Sequence, residues 1–385
     1  MKQLPKSLLK KLYDRQQVNG LRTLVTHKKT IDFFSNDYLG LANDKQVQKL
    51  TKKILKHYNL TSSGSTGSRL LSGNHALYPV VENFIASFHN VPKALLFNSG
   101  YNANVGFFSC VPQRGDIVFY DELIHASIRD GLAICNAKTY KFKHNNLEDL
   151  KEKVEKVELK NEGAIYVVTE SVFSMDGDSP DLKAMALFCG VKGIYFVVDE
   201  AHAFGVFGDK GRGMVNKLGI QHLVFAQIVT YGKALGCHGA AILGSENLYN
   251  YLVNFARSFI YTTGLPPHAI ANIGAAYTHI DNFKIRTNPV TELRKNINYF
   301  NSEVNRLGLS DVFVRSDSAI HCCIVPGNEK VKILSVILGD KEYDVKPILS
   351  PTVPKGTERL RICLHDFNTT YDISKVLKII VGSRI

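Results

Sequence analysis

Short apolar runs recur along the first two thirds of the chain, each followed by a longer stretch of helical or loop character. They are Lys93–Phe97, Asp116–Tyr120, Lys138–Phe142, Ala164–Thr169, Ile194–Asp199, Ala226–Thr230 and Ala240–Gly244. Such alternation predicts βαβ units and an α/β fold with a mainly parallel, seven-stranded sheet. Beyond about residue 270 the texture changes. Ala271–Leu307 reads as mainly helical with a break near Pro289, because proline cannot continue a helix through its own nitrogen. Alternating segments at Val312–Arg315, Ala319–Val325 and Arg359–Leu364 then predict a smaller α+β unit, with the Pro-containing stretch Lys346–Pro354 as a turn-rich connection. The pattern predicts a large domain over 41–270 and a smaller one built from both ends, 1–40 and 271–385. Lys151–Lys160 reads as a solvated helix face, with Glu152 four residues before Lys156.

Composition narrows the classes. The chain has 385 residues and carries no apolar run of the ~18 residues a spanning helix needs, which predicts no membrane insertion. Its first 30 residues lack a long apolar stretch and a small-residue cleavage site. Seven cysteines, with no C-x-x-C spacing, fit a reducing compartment, so a cytoplasmic location is expected and no metal site is. The adjacent pair Cys322-Cys323 reads as buried strand. Lys and Arg exceed Asp and Glu by 47 to 35, which favours anionic partners: nucleic acid, phosphorylated cofactors, coenzyme A or an acidic carrier protein.

The sharpest chemical feature is the run Ile194–His202, where an apolar strand delivers Asp199 at its C-terminal end, the edge at which open α/β sheets bind ligands. Two readings compete. Val197-Val198-Asp199-Glu200-Ala201-His202 has the look of a nucleotide-driven helicase, which predicts salt-sensitive nucleic-acid binding. That chemistry also requires G-x-x-x-x-G-K-[ST], whereas Gly232-Lys233 is followed by Ala234 and position 227 is Gln. The other reading is a pyridoxal phosphate (PLP) site, which needs a lysine to hold the cofactor and a carboxylate against the pyridinium nitrogen. Asp199 and Lys233 are the candidates, the latter after the strand Ala226–Thr230. Asn98–Asn102 follows another strand and opens a helix suited to a phosphate, and His125 follows a third and can stack on a ring.

The motifs SNDYLGL (35–41), GSRLLSGNH (67–75), LFNSGYNAN (96–104), HAS (125–127) and ESVFSMDGD (170–178) resemble, in order, those of the α-oxoamine synthases. VVDEAHAFGVFGDKGRG (197–213), TYGKALG (230–236), FIYTTGLPP (259–267) and RLRICL (359–364) extend the resemblance over almost the whole chain. It implies a fold-type I PLP-dependent transferase acting as a homodimer with shared active sites. By this likeness Lys233 holds the cofactor and takes the amino acid's α-proton, and Asp199 pairs with the pyridinium nitrogen. His202 and Ser174 bond the phenolic oxygen, Ala201 lets the ring lie flat, and His125 stacks on its other face beside the substrate. The amides of Gly100 and Tyr101, with Thr230, take the phosphate, and Thr262 or Thr263 contributes to that of the neighbouring subunit. Asn36 and Arg361 hold the substrate carboxylate, and Arg22 and Thr352 touch the acyl group.

Within the family the chain is most similar to the biotin-pathway branch. The cues are its compact length, GAAIL (239–243), PTVPKG (351–356) and FKHNNL (142–147). That likeness implies L-alanine and pimeloyl-CoA or pimeloyl-acyl carrier protein as substrates, giving 8-amino-7-oxononanoate, carbon dioxide and free thiol. The alternative is another branch, using glycine or serine with a different acyl-CoA; the remote one is the helicase.

Overall fold

The computed structural model describes residues 3–22, 24, 30–158, 163–283 and 288–383. They form two compact units: a larger one of Asn36–Ser174 and Ser179–Glu292, and a smaller one of Met1–Ser35, Met175–Asp178 and Leu293–Ile385.

Seven strands build the sheet of the larger unit: β1 (Lys93–Phe97), β2 (Ile117–Asp121), β3 (Lys138–Phe142), β4 (Ile165–Glu170), β5 (Tyr195–Asp199), β6 (Ala226–Thr230) and β7 (Ala240–Gly244). Their spatial order is β1-β7-β6-β5-β4-β2-β3, parallel throughout except for β7, which runs antiparallel to both β1 and β6. The inner strands are apolar on both faces because both faces are covered, whereas the edge strand β3 exposes all but Phe142. Val118, Val168, Val197 and Ile228 pack into one core with Phe107 and Phe108 of helix Gly100–Cys110 and Ile128 of helix Ala126–Ile134. Their chain neighbours Phe119, Val167, Phe196 and Val198 pack into the opposite core with Met185 and Cys189 of helix Leu182–Lys192. Each such side chain, fully buried, contributes about 1.5–3 kcal/mol.

The smaller unit holds a three-stranded antiparallel sheet of β8 (Ile320–Ile324), β9 (Lys346–Ile348) and β10 (Arg359–Cys363), in the order β9-β10-β8. Cys322 and Cys323 are buried in β8, as their apolar run predicts. Two expectations change here. Lys346–Pro354 is not only turn: its start forms β9, where Pro347 is tolerated because an edge strand leaves one side of its backbone without a ladder partner. Val312–Arg315 is not a strand among the described residues; Phe313 forms an isolated bridge to Cys323.

The helical stretch after residue 270 resolves into helices Pro267–Asp281 and Pro289–Arg306, with 284–287 outside the described residues. Pro289 opens the second at a first-turn position, where a missing N–H costs nothing. Helix Pro267–Asp281 packs on helices Lys45–His57 and Leu77–His89, so the larger unit runs on to Glu292, against the expected 270. Helix Leu147–Glu155 covers part of the charged segment 151–160, with Glu152 and Lys156 3.8 Å apart and exposed. Leu159 and Lys160 lie outside the described residues. Among those residues no helix is long and apolar enough to cross a membrane.

Candidate active site

The C-terminal ends of the parallel strands surround a cavity of about 260 Å³ in the larger unit. Ser99, Gly100 and Tyr101 reach it just past β1, His125 after β2, Glu170 from the end of β4, Asp199 from the end of β5, and Thr230 from the end of β6. Lys233 lines it from the turn after β6. Asn36, Asn104, Ser127, Ala201, His202, Gly232, His238 and Gly239 complete the wall.

One side of the cavity is an anion cradle. Helix Gly100–Cys110 begins there, capped by Ser99, whose hydroxyl accepts from the Asn102 amide at 3.1 Å. The first amides of a helix lack internal partners and carry the positive end of its dipole. Gly100 sits so close to β6 that a Cβ on it would lie 2.5 Å from Thr230 Cγ2. A side chain at this position would have to displace the Thr230 methyl, which packs directly against the helix start.

Asp199 lies at the other side, 4% exposed. Its Oδ1 accepts the Ala201 amide at 2.9 Å and its Oδ2 accepts Asn104 Nδ2 at 2.9 Å. Asn104 also donates to Ser127 Oγ at 3.0 Å, and that oxygen stands 2.7 Å from His125 Nδ1. His125 therefore has a fixed ring plane at the start of helix Ala126–Ile134. Burial holds its imidazole below the usual value, partly opposed by the Asp199 charge, so the ring is neutral near pH 7 and suited to stacking. Tyr38 OH lies 2.7 Å from His202 Nδ1 and donates to Asn36 Oδ1 at 3.1 Å, which orients two more of the expected residues.

The other expected residues lie elsewhere. Ser174 follows β4 and does not line this cavity. Thr262 and Thr263 do not either; the Thr263 carbonyl accepts Asn98 Nδ2 at 2.6 Å. In the smaller unit, Arg22 Nη2 donates to Thr352 Oγ1 at 3.4 Å, and Arg361 is buried on β10, with Nη1 2.8 Å from Cys363 Sγ. Sequence reasoning assigned no role to Tyr38, Asn104, Ser127, Glu170 or His238. The first four stand inside the quoted motifs, and Glu170 ends a strand, which was the available signal.

These side chains suit PLP. The glycine-tight helix start with Thr230 offers amides and a hydroxyl to a phosphate, buried Asp199 offers a carboxylate to a pyridinium, and Lys233 offers an amine. Comparison with known proteins agrees. The sequence profile described as aminotransferase class I and II matches residues 28–374. An 8-amino-7-oxononanoate synthase of Emericella nidulans is 39% identical, covering 91% of this chain and 88% of that protein. A solved structure of SPT with PLP superposes with a TM-score of 0.89 at 26% identity, covering 99% of this chain and 98% of that one. The 8-amino-7-oxononanoate synthase of Francisella tularensis gives a TM-score of 0.77 at 29% identity, covering 92% and 98%. The fold is that of the fold-type I PLP-dependent transferases, and PLP is the cofactor. With the profile spanning most of its length and the strand-end site in place, the chain belongs to the aminotransferase class I and II family.

Proposed function

We propose that the chain is a PLP-dependent acyltransferase that condenses L-alanine with a pimeloyl thioester, on coenzyme A or acyl carrier protein, to give 8-amino-7-oxononanoate, carbon dioxide and free thiol in biotin biosynthesis. The observation that carries this reading is the 39% identity, over most of both chains, to a relative bearing that name. PLP, when bound, supplies an electron sink for the carbon that loses its proton.

The chain's own residues do the rest. Lys233, which lines the cavity, would hold the cofactor through Nζ and would take the α-proton of alanine. Asp199 keeps the ring nitrogen protonated, its own charge held by Asn104 and the Ala201 amide. His125 would stack on the cofactor's ring, Ala201 would leave room for it, and His202 would serve its phenolic oxygen. The Gly100 and Tyr101 amides and Thr230 hold the phosphate. Asn36 and Arg361 are assigned to the amino acid's carboxylate, and Arg22 and Thr352 to the acyl group. As the new carbon–carbon bond forms to the acyl carbon, the carbon–sulfur bond breaks and the thiolate leaves, to be protonated by solvent. The alanine carboxylate then departs as carbon dioxide, and the α-carbon, left with the electron pair, takes back the proton held on Lys233. A homodimer, with Thr262 or Thr263 serving the neighbouring subunit's phosphate, completes the proposal.

A second reading is favoured by the TM-score of 0.89 to SPT: serine with a long-chain acyl-CoA. Incubating the PLP-loaded protein with alanine, glycine or serine against pimeloyl-CoA, acetyl-CoA and palmitoyl-CoA, with products read by mass spectrometry, separates them. Product from alanine and pimeloyl-CoA alone supports the first reading. Product only from serine and palmitoyl-CoA replaces it with the second.

A further inference from the structure

Glu170 ends β4 and Asp199 ends β5, and the two are register partners on adjacent parallel strands. Partners in that position send their side chains to the same face of the sheet, and both line the cavity. Glu170 is 3% exposed, and its Oε1 accepts the backbone N–H of His125 at 2.6 Å. The charged groups acting on it are Asp199 and Asp121, which are acidic, and Lys233. Two neighbouring buried carboxyls do not both ionise readily. Asp199 has an amide side chain and a backbone N–H to hold its charge, whereas Glu170 is bonded through one oxygen to a backbone N–H that a neutral carbonyl satisfies equally well.

We propose that Glu170 is a positioning residue that works as a neutral acid: its carbonyl oxygen anchors the backbone of His125, and its proton keeps a second negative charge away from Asp199. The inference rests on the cofactor site proposed above. Burial pushes the carboxyl up to about 8, with the Asp199 charge adding to the rise and Lys233 and the His125 amide opposing it. The acid is thus neutral at pH 7 and becomes an anion in the alkaline range. There it sets a second charge beside the carboxylate of Asp199, while the His125 N–H keeps its acceptor.

Glu170→Gln keeps the acceptor oxygen and the neutrality and cannot ionise. Glu170→Ala removes the acceptor and leaves a buried N–H without a partner. The test is the dissociation constant of PLP from the full chain, followed by visible absorbance from pH 6.5 to 9.5, for wild type and both variants. At pH 7 the Gln variant should bind PLP within about threefold of wild type and the Ala variant about tenfold more weakly. Above about pH 8 the wild type should lose affinity relative to the Gln variant, by about tenfold per pH unit in the limit where only the neutral form binds. A merely structural role gives no such divergence with pH. The proposal is overturned if Gln is as damaging as Ala at pH 7, or if the ratio of Gln to wild-type affinity does not change with pH. A wild-type chain that binds no PLP overturns the cofactor site together with this inference, whereas PLP binding with either result just named overturns the inference alone.

Discussion

The Asn104 side-chain nitrogen lies 2.9 Å from Asp199 Oδ2 and 3.0 Å from Ser127 Oγ, so one amide on helix Gly100–Cys110 joins the carboxylate to the residue that fixes the His125 ring. Asn104 is 2% exposed, so its hydrogen bond to the carboxylate is made in a buried setting. Asn104→Ala should therefore weaken PLP binding by about ten- to a hundredfold, equivalent to about 1.5–3 kcal/mol for a lost hydrogen bond to a charged group. Titration of the variant by absorbance checks this, and affinity equal to wild type refutes it.

The tight approach of Gly100 to Thr230 makes a paired prediction. Gly100→Ala places a methyl 2.5 Å from Thr230 Cγ2 and should push the helix start out of position, lowering affinity for PLP more than for pyridoxal, which lacks the phosphate. Thr230→Ser keeps the hydroxyl and removes the clashing methyl. The double variant should recover much of the lost affinity, and strictly additive effects would count against the steric account.

Lys233→Ala should leave the fold intact, because the side chain lines a cavity instead of filling a core. Turnover should fall by about 10²–10⁴-fold, the range for loss of a positioned proton-transfer group. Borohydride treatment followed by peptide mass mapping should attach the cofactor to Lys233 in the wild type and to no residue of the variant. Attachment at another lysine would reassign the role.

Acid stability carries a sign. His89 and His321 are buried, and burial pulls both imidazoles down to about 3. Between about 3 and their ordinary value of 6.5 the unfolded chain binds more protons at these positions, so stability falls as pH falls through that window. Glu200 acts oppositely: buried and pushed up to about 7, it holds its proton in the fold, and its stability cost grows as pH rises from 4.5 to about 7. Replacing His321 by Phe should narrow the difference in urea midpoint between pH 7 and pH 4.5. Replacing Glu200 by Gln should widen it. Midpoints that shift in parallel at both pH values would contradict both assignments.

Most of the sheet was legible because its inner strands are buried on two faces, which writes them as apolar runs bounded by turns; exposed β3, KTYKF, was legible only by its alternation and β-forming residues. β9 was not: three residues with a proline give no pattern, and only pairing with Arg359–Arg361 makes them strand. The larger unit's extent to Glu292 was hidden for a similar reason, since helix Pro267–Asp281 declares its allegiance by what it packs against. In the site, Asp199, Lys233 and His125 were readable as polar residues at or after strand ends, whereas Thr230 was nominated by the resemblance. Asn104 and Glu170 were not, because their meaning depends on which helix face turns toward β5 and which strand lies beside β4. Ser174, Thr262 and Thr263 were nominated by likeness alone and do not line the cavity.

β1 has a single neighbour in its sheet, β7, and β7 is the last of the seven strands in the chain. As the polypeptide is synthesised, β1 and the helix start at Gly100 emerge early and wait for most of the larger unit before acquiring a sheet partner. Only when β7 slots between β1 and β6 does Gly100 come to rest against Thr230. Long-range pairing of this kind is the slow part of assembly. The contact of Gly100 with Thr230 is thus completed only with the last strand, so the proposed phosphate site is among the last parts of the larger unit to form.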